Sequence, residues 1–409
     1  LSLNRSIDQK LYDRQTLLRA RIEEQEALLA QSTEKAERKI YEQTLVRLRN
    51  DFNTLMLEIQ AENPQLSAMV SVGNFSAKKL IQKLEPDVAL IAYYMLENEI
   101  FYWLIRPKGI KLFRIRVNKS AFSESILDYR RKIQNIEPLA DESRALFTAL
   151  LAPVMPYLKG VKKLGIIPHG PLHYLSFSTL SNSDDYLIDL FPIFYLPSAN
   201  VLSYTIGKRS KVKNLRVLAL GNPDLGDPAF NLPFSEHEVN SIRWDFPDVT
   251  VMTKERATEK WVVDNIEKFG IIHMASHGRF DPINPLFSAI KLAKGSGEDG
   301  NLEAAEIFGL RINADIVVLS ACQTGLGQIT KGDDVIGLNR AFFYAGTHTI
   351  VSSLWRVSDV ATAIMIKEFY RQYMYHNKSE SLRLATLHVK KRFPHPGYWG
   401  AFTLVGDYY

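Results

Sequence analysis

The sequence is poor in the residues that constrain small or secreted folds. Among 409 residues there is one cysteine, Cys322. That excludes an intrachain disulfide, a CxxC redox pair and a cysteine-rich zinc site, and it leads us to expect a reducing, cytoplasmic setting. No uninterrupted apolar run approaches the ~18 residues of a membrane-spanning helix, so no membrane contact is expected. Neither sign of charge dominates: 50 Lys and Arg stand against 45 Asp and Glu, a net charge of +5. That balance is too mild to argue for nucleic-acid binding. Aromatic residues, 11% of the chain, are spread among apolar runs and form no stacking platform for bases. The sequence starts at Leu1 with neither a methionine nor a signal-peptide pattern, and reads as a fragment or processed form of something longer.

Glycine is absent from residues 1–72, and Pro64 is the first proline. The same stretch is dense in Leu, Glu, Arg, Gln and Lys, all good helix formers. Leu17, Leu18, Ile22, Leu28 and Leu29, then Ile40, Leu45, Leu48, Phe52, Leu55 and Ile59, recur at helical spacings on either side of a break at Ser32-Thr33. Residues 1–72 are therefore expected to form a helical hairpin or coiled-coil lead-in. From residue 73 to 210 the pattern is α/β, with β-rich runs at 88–94, 99–105, 110–116 and 164–167 and an extended stretch over 186–196. The polar connector 208–214 marks the expected boundary. From 211 to 409 strands and helices alternate, with strands at 217–220, 249–252, 271–276, 316–320 and 349–354. Ser235 and Glu238 fit a capping box that opens a helix. Apolar strands alternating with helices predict a mostly parallel sheet covered on both faces.

In an open α/β sheet ligands bind beyond the carboxyl ends of the strands. Asn222-Pro223-Asp224 follows the first strand of the 211–409 segment, and His277-Gly278 the third. Ala321-Cys322-Gln323-Thr324-Gly325 follows the fourth and Trp355-Arg356 the fifth. A lone cysteine is commonly a buried small hydrophobe. Here a base, a thiol and polar groups gather where a crevice should be, and that favours a nucleophile. An imidazole can deprotonate a thiol for attack on a carbonyl, and the amides of Gly278 and Cys322 are candidate oxyanion donors. The acidic Asp224, Asp333 and Asp334, with Trp355 and Arg356, are candidates for substrate binding; turn chemistry, core packing and surface roles compete for the same residues.

These residues carry a family resemblance. Ile271-Ile-His-Met-Ala-Ser-His-Gly-Arg-Phe-Asp281, Asn284-Pro-Leu-Phe-Ser288 and Ala314-Asp-Ile-Val-Val-Leu-Ser-Ala-Cys-Gln-Thr-Gly325 resemble the CHAT domain, a caspase-like, separase-related protease domain. So do Gly332-Asp-Asp334, Ala341-Phe-Phe-Tyr-Ala-Gly346 and Ser353-Leu-Trp-Arg-Val-Ser-Asp359. The earlier segment matches too, through Ile166-Ile-Pro-His-Gly-Pro-Leu-His-Tyr-Leu-Ser-Phe177 and Tyr195-Leu-Pro-Ser198. The resemblance covers about 74–409. It implies a caspase-like fold with 73–210 as a pseudo-protease half and 211–409 as the catalytic half. It further implies a cysteine endopeptidase with His277 as base and Cys322 as nucleophile, needing no cofactor. A protein substrate, control by a partner or an upstream tetratricopeptide-like region, and a place in bacterial defence follow from the same likeness. Ser320 stands where the caspase pattern has Gln, and Thr324 is inserted before the Gly.

Other readings compete. His273 and His277 are four apart, but on a strand four residues span ~13 Å, too far for one metal. No metal is expected, and His273 reads as a packed strand histidine. His169 follows a strand without a cysteine partner and reads as structural. The rivals to a peptidase are a non-catalytic pseudo-protease scaffold that binds protein partners, and acyl transfer on a small molecule.

Overall fold

The computed structural model describes individual positions between 14 and 34, then residues 35–62, 77–199, 201–202, 214–279, 287–295, 297–320 and 334–409. All but the last residue of the expected connector 208–214, together with residues 321–333, lies outside the described residues. The chain divides into two compact units, Leu1–Phe75 and Ser76–Tyr409. Among the described residues no helix is long and apolar enough to cross a membrane.

In the first unit the described positions between 14 and 29 are helical, and helix α1 spans Lys35–Glu62. Arg14 meets Glu58 at 2.8 Å, so the two helical segments lie side by side. Leu45, Leu48, Phe52 and Leu55 repeat at alternating spacings of three and four, and all four are buried, as is Ile22. Ile40 and Val46 fall outside this stripe and are exposed.

The second unit opens with α2 (Ala77–Lys83) and the meander β1 (Val88–Met95), β2 (Glu99–Arg106) and β3 (Gly109–Arg116). Helices α3 (Lys119–Gln134) and α4 (Ala140–Leu150) lead to β4 (Lys163–Ile167) and β5 (Ile193–Tyr195). The expected extended stretch over 186–196 is interrupted, because residues Leu187–Leu190 form a helical turn whose start is fixed by the Tyr186 amide donating to Asp189 at 2.9 Å. Next come β6 (Val217–Pro223), α5 (Pro233–Ser241), β7 (Val249–Lys254), α6 (Glu259–Asn265) and β8 (Ile271–Ala275). Three short strands, β9 (Gly278–Arg279), β10 (Ala289–Lys291) and β11 (Asn301–Glu303), form a small antiparallel sheet of their own. The chain closes with β12 (Ile316–Leu319), α7 (Asp334–Ala345), β13 (Thr349–Ser353), α8 (Asp359–Tyr373), α9 (Lys378–Arg392) and β14 (Phe402–Gly406). The result is a mixed α/β fold with a large, mostly parallel sheet flanked by helices.

That sheet has 11 strands in the order β3-β2-β1-β4-β5-β14-β13-β12-β8-β6-β7. The strands from 73–210 and those from 211–409 therefore share one sheet. β1, β4, β5 and β14 run parallel to one another, as do β13, β12, β8, β6 and β7. The two sets run in opposite directions because β13 and β14 pair antiparallel, from Thr349↔Gly406 to Ser353↔Phe402. The carboxyl ends of β4 and β8 thus lie at opposite edges. His169, just after β4, accepts a hydrogen bond from the Met95 amide at 3.2 Å and packs on Tyr94.

Helix α5 starts two residues before the expected capping box. Pro233 occupies its first turn and Leu232 its N-cap, while Ser235 Oγ donates to the Leu232 carbonyl at 2.8 Å. It presses closely on β6: a side chain at Gly221 would meet the Ser235 carbonyl oxygen at 2.7 Å. From this helix Glu236 reaches Asn222 near the end of β6, and Glu238 reaches His273 within β8.

At the amino end of β12, Asp315 accepts from Lys378 Nζ at 2.7 Å and from the Tyr373 hydroxyl at 2.6 Å, with His348 at 3.5 Å. Burial alone would push this carboxyl up; hydrogen bonding to His348 and the Lys378 and Tyr373 contacts outweigh it and hold it well below the usual carboxylate range. A carboxyl depressed in the folded state stabilises fully above its unfolded pKa of about 3.9 and loses that contribution as pH falls below it. Asp315→Asn leaves Lys378 without its closest counter-charge, and should cost about 3 kcal/mol in urea unfolding at pH 7. The gap to the wild-type chain should narrow as the pH is lowered from 4.

Candidate active site

The sheet's topology brings four strand ends together. The Ser320 amide, first residue past β12, donates to the Met274 carbonyl of β8 at 3.0 Å. Beside this junction lies a cavity of about 170 Å³ whose lining includes His277, Ser276, Ser320, Ser353 and Arg356. Leu232 and Phe234 at the start of α5 and Glu238 further along it, with Asp359 from α8, close it. The cavity therefore sits beyond the carboxyl ends of β6, β8, β12 and β13, as doubly wound sheets dictate.

His277 is 8% exposed. Its Nε2 lies 2.9 Å from the backbone carbonyl oxygen of Phe230, and the Phe230 ring meets the imidazole edge-on. A carbonyl oxygen can only accept, so Nε2 carries the proton and donates. In the neutral ring Nδ1 is then the basic nitrogen. The His277 carbonyl accepts from the Lys291 amide at 2.8 Å, next to the Ile290↔Gly278 pair of the small sheet. Hydrogen-bonded and non-bonded pairs alternate in an antiparallel ladder, so the Gly278 N–H points away from β10 and is not used by it.

Just after Phe230 the loop is clamped by Asn222, one residue before the end of β6. Asn222 is 1% exposed and has a left-handed φ of +47°, a backbone region asparagine tolerates better than most residues. Its Oδ1 accepts from the Leu232 amide at 2.6 Å, and its Nδ2 donates to Asn231 Oδ1 at 2.8 Å and Glu236 Oε1 at 2.6 Å. Lys254 joins the cluster, donating to Asn231 at 2.7 Å and pairing with Glu236 at 2.9 Å. The Glu236 carboxyl is lowered chiefly by Lys254. Asp227 caps the one-turn helix Pro228–Phe230 by accepting from the Ala229 amide at 2.9 Å.

Of the residues singled out in the sequence, His277 and Arg356 line the cavity, and Gly278 adjoins it. Asp224 is exposed and accepts from the Gly226 amide at 2.9 Å in a turn. Trp355 is 1% exposed, and its indole donates to the Gly397 carbonyl at 3.1 Å inside the core. Cys322, Asp333 and the side chain of Asp334 lie outside the described residues. His273 is fully buried, 2.9 Å from Glu238 and 3.1 Å from the Tyr370 hydroxyl. Burial, then Glu238, push that hydroxyl's pKa well above the ordinary tyrosine value. The Phe230 carbonyl and the Asn222 clamp escaped the sequence reading. A backbone carbonyl has no sequence signature, and the only hint was Asn222-Pro223 directly after an apolar strand.

Comparisons with known proteins extend this picture. A family model described as the CHAT domain matches residues 140–407. Tetratricopeptide repeat protein 28 of Mus musculus is 24% identical over 365 residues, covering 72% of this chain and 14% of that protein. The Homo sapiens protein of the same name is 26% identical over 327 residues, covering 64% of this chain and 13% of its own length. The chain thus spans a small fraction of these relatives. Among solved structures, a Saccharomyces cerevisiae separase–securin complex matches 97% of this chain and 27% of the matched chain, at 13% identity and a TM-score of 0.43.

Asn222→Ala removes three hydrogen bonds at a left-handed backbone position and should cost about 2–3 kcal/mol by urea denaturation. In the unaltered chain, nitrogen-15 NMR of neutral His277 should report the Nε2–H tautomer. In Asn222→Ala that tautomer preference should weaken.

Proposed function

The chain belongs to the CHAT-domain family, and on that premise we propose that it is a caspase-like cysteine endopeptidase in which His277 activates Cys322. The observation that carries the reading is the place of Ser320. It lines the same cavity as His277, and Cys322 follows two residues later, within a covalent reach of about 7 Å. Phe230 fixes the imidazole so that the lone pair on Nδ1 is available to take the thiol proton.

The thiolate attacks the substrate carbonyl carbon, and the carbonyl electrons move to oxygen. The amides of Gly278 and Cys322 donate to that oxyanion; one such donor contributes about 2.7–4 kcal/mol in a comparable site. Collapse breaks the C–N bond, and the His277 imidazolium protonates the departing amine. Water, deprotonated by His277, then hydrolyses the thioester and releases the thiol. Arg356, exposed at the cavity wall, is the residue we put forward for binding a polar or acidic substrate group, and Asp333 and Asp334 are put forward for a basic or polar one. The proposal includes control by a protein partner or a tetratricopeptide-like region, supported by the name of the animal relatives, and a role in bacterial defence, carried by the family likeness alone.

The test is the alkylation rate of the chain's single cysteine by iodoacetamide across pH. An activated thiol gives an inflection well below the ordinary ~8.5, and His277→Ala should slow alkylation at pH 7 about tenfold by restoring that ordinary value. An ordinary inflection in both proteins would overturn the catalytic reading and leave the non-catalytic scaffold in its place.

A further inference from the structure

A second cluster, none of whose members lines the cavity, lies around the small sheet. Glu259 begins α6, Glu298 stands in the β10–β11 loop, and Glu306 lies in the helical turn Ala304–Ile307. One carboxylate oxygen from each lies within 4.8 Å of the others. Three carboxylates this close repel one another unless a proton or a cation intervenes.

Glu259 is the telling member. It is 1% exposed. Its Oε2 accepts from the Gly300 amide at 3.0 Å, but its Oε1 is buried with no hydrogen-bond donor among the described residues. A buried carboxylate oxygen without a donor is costly, and the same side chain brings an oxygen within 4.8 Å of those of Glu298 and Glu306. Burial, then Glu306, push the Glu259 carboxyl well above the usual carboxylate range. The nearby Lys260 is taken by Asp264 at 3.0 Å, and Lys291 donates to Asn301 at 2.5 Å. Asp299 is used by Asn301, whose amide and side chain both donate to it.

The geometry points to a site for a hard divalent cation, calcium by preference, held by Glu259, Glu298 and Glu306. The donors are all carboxylate oxygens, which select calcium, magnesium or manganese over zinc or copper. Calcium further accepts bidentate carboxylates and loop carbonyls in flexible geometry. The loop offers both: it turns at Gly297 and Gly300, with φ of +92° and +82°, and Glu298 between them is exposed. A bound ion would tie the start of α6, the β10–β11 loop and the turn after β11 into one unit. That unit carries β10, whose Lys291 amide holds the His277 carbonyl, so the ion would stiffen the backbone at His277.

The site does not depend on the peptidase reading, and binding tests it directly. The full chain, stripped with a chelator, is titrated with calcium chloride and, in parallel, magnesium chloride, read by calorimetry and by Tm. We expect one saturable calcium site and a Tm that rises with calcium. Glu259→Gln should weaken binding at least tenfold and abolish the rise in Tm. Glu298→Gln, at an exposed position that cannot threaten folding, should weaken binding several-fold. No heat and no Tm shift up to about 10 mM of either ion, above the ~1 mM limit of weak calcium modules, would overturn the site and leave Glu259 and Glu306 sharing a proton. Binding unchanged in both variants would overturn it equally.

Discussion

The rest of the main unit depends on where its last strand goes. β14 lies in the middle of the 11-stranded sheet, parallel to β5 on one side and antiparallel to β13 on the other. Its end is fastened on both sides. Asp407 donates its amide to the His348 carbonyl at 3.0 Å, Thr349 Oγ1 donates to the Asp407 carbonyl at 2.7 Å, and Tyr408 packs on Phe194. The large sheet is continuous only through β14, which joins the β1-β4-β5 set to the β13-β12-β8-β6-β7 set. Because this junction is antiparallel, each parallel set opens at its own edge. The crevice at the ends of β6, β8, β12 and β13 is therefore separate from the edge where β4 ends.

Within that crevice, position is inherited step by step. The left-handed backbone at Asn222 makes a bulge one residue before β6 ends, and the Asn222 amide side chain grips the loop that follows. The loop presents a carbonyl to His277, and the carbonyl decides which imidazole nitrogen is basic. On the other side the small sheet holds the His277 backbone through Lys291. A histidine at a strand end is common. One whose ring and backbone are both held, beside the end of the strand that leads to the only thiol, is a much narrower arrangement.

Much of this was legible in the sequence, and the reasons can be named. The alternation of apolar strands with helices over 211–409 gave the mostly parallel sheet, since period and length survive folding. The Leu45, Leu48, Phe52 and Leu55 stripe gave the buried face of α1 in the same way. The strand ends pointed to His277 because ligands in such sheets gather there. Other features were hidden. β14 is a five-residue apolar run, too short for periodicity to separate strand from buried segment. The small β9–β11 sheet comprises strands of two and three residues. Trp355 and Arg356 are neighbours at a strand end, and no pattern distinguishes the one that turns into the core from the one that faces the cavity.

The sequence by itself determined the class of the fold, the helical lead-in and the identity of the groups able to do chemistry, because those follow from residue type and local period. It determined that any thiol chemistry must occur at Cys322, since there is no other cysteine. Only the tertiary structure decided that the two α/β segments share one sheet, that the Phe230 carbonyl orients His277, and that Glu259, Glu298 and Glu306 converge. Those outcomes depend on contacts between residues far apart in the chain, many of them through backbone groups that every residue carries alike.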